Sequence, residues 1–134
     1  MKKFIFAIPL VFTLGFGGIA QAAMLDDDTQ KIYINGSSTD YGTGTSRISD
    51  MTNGTILALG TTTYIGASSV YVKVEAGVDG SYAQPVIKSS SSDSVGGSVN
   101  LGPKKTSSNF HVYSTHKIYK NGSLVGSTST KANW

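Results

Sequence analysis

The sequence predicts an all-β protein: one antiparallel β-sandwich or small β-barrel of about six to eight strands, behind a cleaved signal peptide. Three observations carry this reading. From Ala23 onward the chain holds 19 Ser, 13 Thr and 13 Gly. All three are poor helix-interior residues, because Gly gives up most backbone freedom there and Ser and Thr hydroxyls compete for backbone groups. Apolar residues recur in short alternating runs, and no long window keeps a helical 3.6-residue period. Asn-Gly and Asp-Gly pairs separate the runs, and these are the residues that tight hairpin turns require.

Residues 1–22 read as a signal peptide. Lys2 and Lys3 form a basic start, Phe4 opens an uncharged apolar run that ends at Ile19, and Ala20-Gln21-Ala22 supplies the small-x-small cleavage pattern. The run is shorter than the roughly 20 residues a membrane helix needs, so no integral membrane segment is expected in the mature form. Cleavage after Ala22 predicts a secreted (extracellular) or periplasmic protein of bacterial type. The chain has no cysteine, so neither a disulfide framework nor a thiolate metal site is available. The formal charge of +3 includes Lys2 and Lys3. Without them nine basic residues face eight acidic ones, which leaves no footprint for nucleic acid.

Residues 23–29, with Asp26-Asp27-Asp28, read as a disordered lead-in. The remainder, 30–134, reads as one domain. Its first candidate strand-turn unit is Lys31-Ile32-Tyr33-Ile34-Asn35-Gly36-Ser37. This heptad matches Lys117-Ile118-Tyr119-Lys120-Asn121-Gly122-Ser123 at six of seven positions. Shared strand-turn chemistry explains the match without a duplication. Residues 55–59, 61–65 and 94–101 are further candidate strands.

The clearest strand is 70–76. Val70, Val72, Val74 and Ala76 alternate with Tyr71, Lys73 and Glu75, which puts the second set toward solvent. Asp79-Gly80 then predicts a two-residue type I′ turn. That turn pairs Val78 with Ser81, Ala76 with Ala83, Val74 with Pro85 and Val72 with Ile87. Pro85 lacks an N–H and marks an edge strand. A second hairpin turns at Asn121-Gly122, setting Tyr119 opposite Leu124 and Ile118 opposite Val125. Both faces of 109–120 carry apolar residues, so this strand is expected to be central and covered on both sides, or part of a barrel wall.

The chemistry-bearing residues are sparse. His111 and His116 are five apart, which puts them on opposite faces of a regular strand and makes them poor ligands for one metal site; His111 shares a face with Tyr113, and that pair reads as solvent-facing. Three consecutive aspartates cannot all face one Ca²⁺, and the alternating ligand spacing is absent. Glu75 is the only glutamate, whereas a glycosidase ordinarily needs two carboxyls. There is no Gly-x-Ser-x-Gly elbow and no phosphate loop. No catalytic residue, metal or cofactor is assigned, and the chain is read as a non-enzyme. Asn35-Gly36-Ser37, Asn53-Gly54-Thr55 and Asn121-Gly122-Ser123 match a glycosylation pattern but read as turns.

Tyrosine is the suggestive feature: exposed Tyr among Ser and Thr makes an adaptable binding surface or a stacking platform for sugars. Tyr71, His111, Tyr113 and Tyr119 are the candidate binding residues. The first functional expectation is an exported non-enzymatic β-domain that binds a protein or cell-envelope glycan partner at the cell surface or in the periplasm. A secreted antibacterial, toxin-like protein of bacteriocin type is the alternative, and a small extracellular hydrolase the third.

Overall fold

A computed structural model describes residues 21–134; the expected signal peptide lies outside the described residues except for Gln21 and Ala22. The chain forms strands β1 (Gln21–Tyr33), β2 (Tyr41–Met51), β3 (Thr55–Thr63), β4 (Ser69–Val78), β5 (Ser81–Tyr82), β6 (Val86–Ser90), β7 (Ser94–Pro103), β8 (Phe110–Lys120) and β9 (Ser123–Asn133). A single 3-10 turn, Ile34–Gly36, follows β1. Every strand pairing is antiparallel.

Two sheets pack face to face. The first has the order β1-β2-β3-β7, and in the second β4 and β8 are central, with β9 on one side and both β5 and β6 on the other. Because β5 and β6 occupy the same edge of β4, each sheet is four strands wide. This is the expected all-β sandwich.

Alternation builds the core. Val70, Val72, Val74 and Ala76 of β4 are buried, as are Phe110, Val112 and Ile118 of β8. They meet Ile32, Ile48, Ile56, Ala58, Val95 and Val99 from the first sheet. A smaller cluster, Met51, Leu57 and Leu59, lies apart from this core. Burying each aliphatic side chain is worth about 1.5–3 kcal/mol, so this interior does not need cross-links.

Both predicted tight turns form. Asp79 and Gly80 have φ of 50° and 83°, and Asn121 and Gly122 have 51° and 77°. Asn35 and Gly36 adopt the same left-handed pair, at 49° and 72°. There the chain loops on, closed by Ile34 N–H donating to the Asp40 carbonyl at 3.0 Å. The matching heptads therefore share turn chemistry but not the connection that follows.

The structure corrects several expectations. Residues 23–29 are not a disordered lead-in but the body of β1, paired with β2. The reason is that β1 is held on both sides: its backbone bonds to β2, and its carboxylates bond to β9. Asp28 Oδ2 accepts from Lys131 N–H at 3.0 Å and Asp26 Oδ2 from Asn133 N–H at 2.8 Å. Residues 55–63 form one strand, running straight through Gly60.

The β4 hairpin keeps the expected register only near its turn. Val78 faces Ser81, and Ala83 N–H donates to the Ala76 carbonyl at 2.9 Å. Beyond Ala83 the partner slips by one residue, so Val74 faces Val86 and Val72 faces Lys88. Pro85 cannot donate to the ladder, and the chain rejoins it one residue late. Ile87 turns outward in consequence and is exposed. In the second hairpin Tyr119 faces Leu124 as expected, but Ile118 faces Gly126, with a bulge between. The core-side position opposite Ile118 has no room for a side chain: a Cβ on Gly126 would stand 2.8 Å from the Tyr33 carbonyl oxygen. Strand β8 is central but is covered on one face only; Tyr113 on the other is exposed.

Candidate functional site: an aromatic cleft on the outer face of the second sheet

The β4–β8 register fixes which side chains share the outer face. Ser69 lies beside Tyr119, Tyr71 beside Lys117, Glu75 beside Tyr113 and Gly77 beside His111. All four candidate binding residues therefore lie on one face. They form two groups. Tyr113 and Tyr119 are six residues apart along β8, about 20 Å.

At one end, Tyr71 is covered by its own lysine. Lys117 Nζ lies 5.1 Å from the Tyr71 ring centroid. Tyr119 is only part-exposed and sits beside exposed Leu124. Neither of these two residues lines the clefts beside His111 and Tyr113.

At the other end the face opens. The β4 hairpin places Tyr82 opposite Gly77, and Tyr82 is 62% exposed. Gly77 has no side chain to stand between Tyr82 and the next strand. A Cβ there would collide with the Ser81 carbonyl oxygen. The Tyr82 ring consequently reaches His111, with ring centroids 5.1 Å apart. Tyr82 is the site residue that the sequence reading missed. The signal for it was present, since the correctly expected Val78–Ser81 pair also puts Tyr82 opposite Gly77.

Two clefts flank the Tyr82–His111 pair. The first, about 300 Å³, is lined by Glu75, Tyr82, Ala83, Pro85 and Tyr113. Its wall is the segment that Pro85 forces out of the ladder, so the register slip shapes the site. The second, about 400 Å³, is lined by Asn109, Phe110, His111, Asn133 and Trp134. His111 Nε2 is enclosed and has no hydrogen-bond partner. Glu75 is paired with Lys73, Oε1 to Nζ at 3.1 Å. The adjoining turn is pinned by Asp79, whose Oδ1 accepts Asn109 N–H at 2.8 Å. That bond and one from Ser108 hold the Asp79 carboxyl below the usual carboxylate range.

Lysines occupy several other aromatic faces. Lys31 lies over Tyr41 at 4.2 Å, Lys120 over Tyr64 at 4.9 Å and Lys104 over Trp134 at 5.2 Å. Among the described residues no lysine lies over Tyr82 or Tyr113, and both side chains are exposed.

The other chemistry-bearing group is enclosed. His116, on the face opposite His111 as expected, is fully buried. Its Nδ1 lies 2.8 Å from Thr62 Oγ1 and its Nε2 2.7 Å from Thr130 Oγ1. Thr62 donates its only hydroxyl hydrogen to the Tyr71 carbonyl at 2.8 Å. Its oxygen can then only accept from His116, which places a proton on Nδ1. Burial drives the His116 pKa down to about 4, so the ring is neutral and Nε2 accepts from Thr130. Ser46 Oγ lies 2.7 Å from both Ser114 Oγ and Thr130 Oγ1. The serine thus contacts Thr130 rather than the imidazole, and the whole group is 0–2% exposed. It ties β2 and β3 to β8 and β9 across the sandwich.

Among the described residues no three His, Cys, Asp or Glu side chains gather as a metal-binding group, and no helix is long and apolar enough to cross a membrane. Comparison of the chain with protein-family models, curated proteins and solved structures finds no match.

Proposed function

We propose that this is an exported, non-enzymatic binding domain whose outer second-sheet face engages a partner at the cell surface or in the periplasm. One observation carries the reading: Tyr82 and Tyr113 project open rings beside His111, around a cleft on a rigid antiparallel sheet. Tyrosine supplies large contact area with few rotors to immobilise, and a sheet holds the rings in place without folding on contact. The apolar run ending in Ala20-Gln21-Ala22 supports export.

The test uses protein collected from an exporting host. N-terminal sequencing should find a start at Ala23; an intact Met1 would overturn the export part. Sedimentation with cell envelopes should retain the protein, and Tyr82→Ala or Tyr113→Ala should each reduce retention at least about tenfold, the loss of 1.4 kcal/mol or more expected at a central aromatic anchor. Tyr41→Ala, at the opposite end of the sandwich, should leave it unchanged. Equal retention of all three variants would overturn the binding part.

A further inference from the structure

We infer that the two clefts beside the Tyr82–His111 pair take consecutive sugar rings of a neutral, linear glycan. This deepens the binding reading above and rests on it. The first cleft combines flat apolar walls with one acceptor: Tyr82, Tyr113, Ala83 and Pro85 surround Glu75. A pyranose ring has the matching anatomy, an apolar C–H face edged by hydroxyl donors. Its face stacks on tyrosine while a hydroxyl donates to the carboxylate.

The second cleft is of different character. The faces of Trp134 are taken by Phe110, at 5.8 Å between centroids, and by Lys104. What remains is polar, with the amides of Asn109 and Asn133 and the imidazole of His111. Amides offer both donors and acceptors, as sugar hydroxyls do. His111 forms one side of this cleft, with its Nε2 enclosed against the protein.

Charge selects a neutral ligand. Glu75 is balanced by Lys73, and no charged side chain lines the second cleft. Continuity selects a chain of sugars over a single ring. His111 lines the second cleft while its ring rests on Tyr82, which lines the first.

Trp134 is the only tryptophan in the chain and lines the second cleft, so its fluorescence reports occupancy there. The probes are chito-oligosaccharides and cello-oligosaccharides of one to four units, titrated into the exported protein. In at least one series the disaccharide should bind at least about tenfold more tightly than the monosaccharide and should shift Trp134 emission. Raising the salt concentration should leave the affinity unchanged, as an uncharged ligand requires. Tyr82→Ala and His111→Gln should each weaken binding about tenfold or more, with unchanged urea midpoints. Absence of binding by both series at millimolar concentration would overturn the inference, as would equal affinity of the Tyr82→Ala variant. If envelope retention still depends on Tyr82 when no saccharide binds, the partner is of another class, such as a protein, and only the glycan assignment falls. If retention ignores Tyr82, the binding reading falls with it.

Discussion

Asp28 on the first strand accepts the backbone N–H of Lys131 on the last, Oδ2 to N at 3.0 Å. Asp26 does the same for Asn133 at 2.8 Å. Strand β9 pairs with β8 on one side only, so its other edge carries backbone donors with no strand beside them. Such an edge invites pairing with another chain. Side chains from the opposing sheet cover it here, and the acidic run has a structural use.

Replacing either aspartate with alanine should lower stability by about 1 kcal/mol, because the freed N–H is exposed enough to fall back on water. The double variant should also self-associate through the uncovered β9 edge. Urea denaturation measures the first effect and light scattering the second. An unchanged urea midpoint would mean that these bonds contribute nothing in solution.

His116 gives the fold a pH dependence of definite sign. Its folded pKa is depressed to about 4 from an ordinary 6.5. The unfolded chain therefore binds the proton more readily, and the stability associated with the neutral ring is complete only above about pH 6.5. It should fall by about 3 kcal/mol as pH drops to about 4, then level off as far as this residue is concerned. Asp79, also depressed, titrates below that window. Urea midpoints across pH 7 to pH 4 should slope for the natural protein. His116→Gln should flatten the slope, and a persisting slope would assign it elsewhere.

Gly44 makes room for that imidazole. A Cβ at position 44 would stand 2.5 Å from both Cγ and Cδ2 of His116. Gly44→Ala should therefore destabilise the protein by about 2 kcal/mol or more, as overpacking of a tight core does. In the His116→Ala background the added methyl has space, and the same change should be far milder. A double-mutant cycle checks this, and additive effects would separate the two positions.

Gly122 holds the C-terminal turn with φ of 77°. Valine is strained in that region, so Gly122→Val should lose on the order of 1 kcal/mol or more. Ser123→Val, one residue on in the extended strand and equally exposed, is the matched control. Equal midpoints for the two variants would show that the turn tolerates another geometry.

Local features were legible in the chain. Alternation in β4 assigned Val74 to the core and Lys73 to the surface, and the structure has them there. Asp79-Gly80 and Asn121-Gly122 specified left-handed turns because few other residue pairs accept positive φ twice in succession. The five-residue spacing put His111 and His116 on opposite faces and His111 on the same face as Tyr113, and alternation in β4 put Tyr71 outward.

What lay against each face depended on contacts between residues far apart in the chain. Spacing put His116 on the face opposite His111, but nothing near it in the chain signals its hydrogen-bonded burial; its partner Thr62 is 54 residues away. Asp26 read as part of a loose lead-in because its partner, Asn133, is 107 residues away. The slip at Pro85 and the bulge before Gly126 depend on how a strand rejoins a ladder and fits beneath its neighbours, and turn chemistry does not encode either. Tyr82 became a site residue only when the hairpin folded it across Gly77 onto His111. Periodicity and turn preference act over a few residues, whereas burial and side-chain pairing act across the gap between two sheets.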